Sequence, residues 1–215
     1  MNVTHKNDID TLLERSTALH RHLCPRQVLG VRTGLLAARL LELPLPQEDK
    51  RVFAFVETDG CFADGVSVAT GCWLGRRTLR LFDWGKVAAT LVDTATGRAF
   101  RIAPALGARE AARLHAPDEK GKWRAQLAAY RTMPDDDLLV WEPVALTVDL
   151  QEIVSKPGLR VRCARCGEDV MNAREIVRES IVFCARCAGA ADYYVSMPKE
   201  EHTLVTAGDT LEGGL

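Results

Sequence analysis

Four of the chain's seven cysteines fall within one 25-residue window, as Cys163-x-x-Cys166, seventeen intervening residues, then Cys184-x-x-Cys187. Each CxxC makes a tight knuckle whose two sulfurs can reach one ion, and two knuckles on a short ribbon complete the tetrahedron that a structural Zn²⁺ prefers. Gly167 permits the turn that aims backbone N–H groups at the first pair. A segment this short cannot bury a core of its own, so metal binding has to supply its folding free energy. Paired redox CxxC sites or an iron–sulfur cluster would use the same residues. Four matched thiols with no open position favour structural zinc. Between residues 151 and 195 seven basic side chains face six acidic ones, a weak electrostatic footprint for nucleic acid. The ribbon reads as a stability or protein-contact module.

The other three cysteines, Cys24, Cys61 and Cys72, lie in the first third of the chain. An odd total argues for reduced thiols rather than a disulfide framework. The N-terminal MNVTHKNDID has no apolar h-region, so a cytoplasmic location is expected. The 215 residues are 47% hydrophobic and 27% charged, with a formal net charge of −1, so the chain can bury a core and carries no global field for nucleic acid or an anionic membrane. No apolar run approaches the ~20 residues of a membrane-spanning helix. Residues 1–150 read as the main domain, 151–160 around Lys156-Pro157-Gly158 as a linker, 161–195 as the ribbon and 196–215 as a tail.

Within the main domain, Ile9, Leu12, Leu13 and Leu19 predict a helix over 8–20, capped by Asp8 or Asp10. Pro25 opens a second helix over 25–43, on which Gly30 and Gly34 serve close packing. RVFAFVE (51–57) is a strand, 58–60 a turn and 61–72 a helix. Two strands flank the Asp83–Gly85 turn, a further strand covers RAFRIAP, 107–130 reads as helical and LLVWEPVAL as strand. Without a regular βαβ alternation, the expected fold is α+β: a mixed helix and antiparallel-sheet core domain followed by a small C-terminal zinc ribbon.

His20-x-His22-x-Cys24-Pro25 stands between the first two helices, and an extended backbone there would point His20, His22 and Cys24 to one side. Cys24 and Cys61 each stand at a predicted helix N-terminus, where thiolate is favoured. Two thiols and two imidazoles suit a borderline-soft transition metal, a second Zn²⁺ among the candidates, with a coordination position left open. Cys72, eleven residues past Cys61, would lie roughly 16 Å further along one helix and needs a helix break or a different job. Asp59, Asp64 and Asp83 are either partners of this group or ordinary turn residues.

HRHLCPRQVLGVRTG (20–34), VETDGCFADGVSVATGCWLG (56–75) and DWGKVAATLVDTATGRAFRI (83–102) resemble the FmdE family, which takes its name from a component of molybdenum formylmethanofuran dehydrogenase. The ribbon is similar to the zinc finger of TraR/DksA proteins. The resemblance implies a metal-binding pocket of His20, His22, Cys24 and Cys61, with Cys72 as a further candidate, usually in a homodimer. Arg21 and Arg26 stand where the family usually has glycine, and would draw anions to the pocket. Three roles follow from these readings. The foremost is a cytoplasmic metal-binding protein accessory to a molybdenum or tungsten oxidoreductase, or to metal or cofactor handling. The second is an enzyme using its metal or the Cys24 and Cys61 thiolates as catalytic groups. The third is a regulator contacting RNA polymerase or DNA, against which the ribbon's balanced charge and the missing coiled-coil hairpin both count. No GxGxxG or GxxxxGK[ST] signature is present.

Overall fold

Two glycines set the geometry on which the rest of the first unit depends. Helix α2 (Pro25–Leu41) and helix α3 (Cys61–Thr70) lie against each other so closely that a Cβ on Gly30 would come within 2.2 Å of the Phe62 carbonyl oxygen. A Cβ on Gly65 would come within 2.4 Å of the Gln27 oxygen. Gly34 meets Ala69 in the same way one turn on, so residue numbers rise together along both helices and the two run parallel. Their N-termini therefore lie at the same end.

The structure, a computed structural model, describes residues 9–153, 158–190 and 192–195. It divides into two compact units, residues 1–154 and 155–215. The first unit begins with α1 (Ile9–His20), which packs on α2 and α3 through Leu12 and Leu13. Asp10 lies in its first turn and pairs with Arg131, whereas Asp8 is outside the described residues. Strand β1 (Val52–Val56) precedes α3, and β2 (Leu79–Leu81) follows it. β3 (Ala89–Asp93), β4 (Ala99–Pro104) and β5 (Leu139–Pro143) complete a five-stranded sheet of order β2-β1-β3-β4-β5.

The α+β architecture is as the sequence leads one to expect, with one mixed feature. β1 pairs in parallel with β2 across the α3 crossover, while every other neighbour in the sheet is antiparallel. The strands either side of Asp83–Gly85 are thus not a hairpin, because β1 lies between them. The helix over 61–72 is shorter than its sequence suggests: Gly71, at φ 78°, takes the left-handed conformation that ends α3 at Thr70. The expected 107–130 helix is two, α4 (Ala108–His115) and α5 (Lys122–Thr132), interrupted where Pro117 and Gly121 break it. A single turn, α6 (Asp135–Leu138), follows. Arg32, almost fully buried, ties this region to α2 by donating to the carbonyls of Tyr130 and Met133 and to Asp135.

All five residues of β1 are buried, because the sheet is covered on both faces. The helices cover Val52, Ala54 and Val56, while Val144, Leu146, Val148, Leu150 and Ile153, the last two on α7 (Leu150–Ile153), cover Phe53, Phe55, Val92 and Ala99. At the end of β3 the Asp93 carboxylate accepts from Arg51, Thr96 and the Ala95 amide, and the Arg51 guanidinium holds its carboxyl well below the usual carboxylate range.

The second unit holds two hairpins, β6 (Arg160–Arg162) with β7 (Asp169–Met171), and β8 (Ile176–Arg178) with β9 (Ile181–Phe183). The amide of Ala164 donates to the Val182 carbonyl and joins them. The expected linker falls partly, and the expected tail wholly, outside the described residues. No described helix is long and apolar enough to cross a membrane.

Candidate functional site

In the ribbon, each cysteine pair follows the outgoing strand of a hairpin, and Gly167 at φ 76° closes the first knuckle. The sulfurs of Cys163, Cys166, Cys184 and Cys187 all lie within 4.8 Å of one another, and those of Cys166 and Cys184 are 4.0 Å apart. A Zn–S bond of about 2.3 Å implies a sulfur–sulfur edge near 3.8 Å, so the four thiols fit a tetrahedral ion. Backbone N–H groups of Cys166 and Cys184 draw the Cys163 thiol down to about 6. The neighbouring Cys184 thiol, with burial, pushes Cys187 up to about 12. Four thiolates cannot share so small a space unless a cation balances them. This is a metal-binding cluster.

The second group forms where the parallel N-termini of α2 and α3 meet. Cys24 is the N-cap of α2, and the side chain of Gln27 closes a capping box by accepting from the Cys24 amide at 2.7 Å. Cys61 is the first residue of α3, after Gly60 at φ 71°. The Cys61 sulfur lies 3.0 Å from Nε2 of His20, whose Nδ1 donates to Asp64 at 2.9 Å. Asp64 thereby fixes the tautomer that turns an Nε2 lone pair toward the sulfur, the arrangement by which carboxylates orient metal-binding imidazoles. Burial pushes the Cys61 thiol up, the adjoining Cys24 thiol adds to it, and Arg26 pulls the other way. The helix N-terminus is therefore outweighed, contrary to the expected thiolate, and Cys61 is a thiol donating to His20.

The connector is not an alternating extended segment: Arg21 takes a left-handed φ of 61°. The rings of His20 and His22 nonetheless stay in contact, 4.7 Å between centroids. Among the described residues only the ribbon quartet brings three or more such donor atoms within 4.8 Å of one another. Cys72 is not in this group. It lies beyond the end of α3, fully buried in the core, and donates to the Val52 carbonyl at 3.2 Å, while burial pushes its thiol up. Of the three aspartates in question, Asp64 partners His20, Asp83 accepts from the Gly85 amide in its turn, and Asp59 is exposed.

His22, Cys24 and Cys61 line an open cleft of about 1140 Å³, whose other lining residues include Arg26, Leu29, Val87 and a long stretch of α4 and α5. Arg21 is not among them. The α4–α5 contribution is invisible from the cysteine and histidine motifs. Its signal in the sequence is the Pro117–Gly121 interruption, which folds α5 back beside α4 and brings Trp123 and Tyr130 to the cleft.

An α+β domain with cysteine and histidine side chains at the mouth of a cleft, joined to a four-cysteine metal ribbon, defines a class of small metal-binding proteins. Residues 19–140 match the family described as FmdE, molybdenum formylmethanofuran dehydrogenase operon, and the chain belongs to that family. It is 30% identical, over a 212-residue alignment covering 88% of this chain, to a probable S-adenosyl-L-methionine-binding protein of Archaeoglobus fulgidus. The chain spans 55% of that relative's length. In fold it is similar to a tungsten formylmethanofuran dehydrogenase FmdE-like protein from Syntrophus aciditrophicus, with a TM-score of 0.54, 23% identity, and coverage of 88% of this chain and 96% of that one.

Proposed function

We propose that this FmdE-family protein binds a second, exchangeable transition metal through Cys61, His20 and Cys24, with His22 beside them, and serves a cytoplasmic molybdenum or tungsten oxidoreductase or the handling of its metal or cofactor. The observation that carries this reading is the His20–Cys61 contact. A carboxylate-oriented imidazole nitrogen 3.0 Å from a thiol, with a second thiol adjoining and an open cleft beyond, is what an ion with a free coordination position needs. Two sulfurs and one nitrogen suit zinc and its softer neighbours. Zinc is likewise the metal proposed for the ribbon. The names of the two similar proteins, one FmdE-like and tied to a tungsten dehydrogenase, the other a cofactor binder, favour the accessory role. The presence of Cys24 and Cys61 on the cleft supports a second reading, in which the same group is the catalytic centre of an enzyme.

Metal analysis of anaerobically purified protein tests the site. Wild type should hold two metals per chain and Cys61→Ser one, the ribbon's. Equal metal content in both would overturn the proposal. A homodimer is proposed as well, supported by Leu106 and Leu114, which flank and end α4 almost fully exposed. A monomer by light scattering at micromolar concentration would refute it.

A further inference from the structure

We propose that the cleft binds a phosphorylated heteroaromatic ligand of the nucleotide class, its phosphates held by α4 and the start of α5 and its ring by Trp123. This deepens the reading above by naming what would approach the Cys61 end, but the residues behind it lie on other helices and it stands without a metal.

Size is the first observation. About 1140 Å³ is far more than a metal and its waters occupy, and matches or exceeds the roughly 300–1000 Å³ of small-molecule sites. Charge is the second. Arg26, Arg109, Arg113 and Lys122 line the cleft against the single carboxylate of Glu110, in a chain whose overall charge is −1. None of these four cations forms an ion pair with a described carboxylate. Arg32, Arg51 and Arg101 in the same unit are paired with Asp135, Asp93 and Glu57. Unneutralised cations in a concave site concentrate positive potential there. Arg109 and Arg113 stand four residues apart on α4, so both guanidinium groups share one face, and guanidinium forks suit phosphate oxygens.

The third observation is the α5 stripe. Trp123, Gln126 and Tyr130, at i, i+3 and i+7, all line the cleft. Tyr130 is buried, while Trp123 leaves 52% of its surface in water and makes no ring contact with a described aromatic. An indole so placed offers a stacking face for a planar heterocycle. The Gln126 carboxamide carries both donors and an acceptor, the pairing needed for a heterocycle's polar edge. Phosphate-binding cations and a stacking ring on adjacent short helices describe one ligand with both parts.

Isothermal titration of the full chain with ADP, adenosine, pyrophosphate and S-adenosylmethionine, without added divalent metal, tests this. ADP should bind about tenfold or more tighter than adenosine, with affinity falling as salt rises. An Arg109→Gln, Arg113→Gln double variant should lose about tenfold for ADP and pyrophosphate and nothing for adenosine. Trp123→Leu should weaken ADP and adenosine and leave pyrophosphate unchanged. All three side chains are on the surface, and circular dichroism checks that the variants fold. The same titration on Cys61→Ser separates the two proposals, since ADP binding should persist there whatever becomes of the metal. No measurable binding of ADP, equal affinity for ADP and adenosine, tighter binding of the cationic S-adenosylmethionine, or an unaffected double variant would overturn the inference.

Discussion

The two cysteine groups hold their donors in opposite ways. In the ribbon the four sulfurs come from one 25-residue stretch, with only small hairpins behind them, and their thiols are split between about 6 at Cys163 and about 12 at Cys187. Nothing but an ion reconciles four such groups. At the other site the donors come from residues 41 positions apart, brought together by the α2–α3 contact, and in place of an ion they satisfy one another through the Cys61–His20–Asp64 chain. The ribbon's shape depends on its metal, whereas the pocket's shape depends on the hydrophobic core. The two should fail differently.

The largest effect is expected at the ribbon. Structural zinc contributes on the order of 10–16 kcal/mol in isolated fingers, so Cys163→Ser should abolish the ribbon's metal and its resistance to proteolysis. The melting of the first unit should not change. If that unit melts earlier too, the contrast between the two sites breaks down. Next comes Gly65→Ala, whose Cβ would press on the Gln27 carbonyl, a backbone atom that cannot swing away. Overpacking of this kind should cost about 3 kcal/mol, even after the gain of about 1 kcal/mol in helix propensity. Denaturant unfolding measures it, and the ribbon's metal should survive. A cost below about 1 kcal/mol would mean that the helices part easily and do not fix the Cys24–Cys61 approach.

Asp93→Asn should cost about 2 kcal/mol through its charge-assisted hydrogen bonds. Because the folded carboxyl is depressed below its unfolded value near 3.9, this contribution is full above about pH 5 and fades as pH falls through the acid range. Wild type should thus lose stability relative to the variant on acidification, and equal slopes would show that Asp93 makes no such contribution. The smallest effect is expected for Cys72→Ala, about 1 kcal/mol of core packing with metal content unchanged at both sites. A fall in metal would make its sulfur a ligand after all.

Legibility in the sequence followed the same division. The ribbon quartet could be read completely, because both spacing and residue type are local. Gly30 and Gly34 were legible as packing residues, but their meeting with Gly65 and Ala69, and the parallel sense that follows, depend on a crossover that no local pattern encodes. HRHLCP marked the histidines without revealing the left-handed Arg21 or the role of Asp64, which joins His20 from 44 positions away. The protonation of Cys61 was hidden because a helix N-terminus is visible in a sequence and the burial that outweighs it is not. Trp123 and the α4 arginines were hidden by apolar periodicity that runs on through Pro117 as if one helix covered 107–130.

The segment 144–153 has a practical consequence for anyone dividing this chain. The sheet ends with Pro143, and a boundary drawn there would look natural by secondary structure. It would also strip the cover from Phe53, Phe55, Val92 and Ala99 and leave an aromatic-rich sheet face in water. Such fragments associate through the bared face rather than stay dispersed. Arg80 would lose the Ile153 carbonyl it binds at 2.8 Å. A fragment meant to carry the pocket without the ribbon should therefore run through residue 153, ten residues beyond the last strand of its sheet.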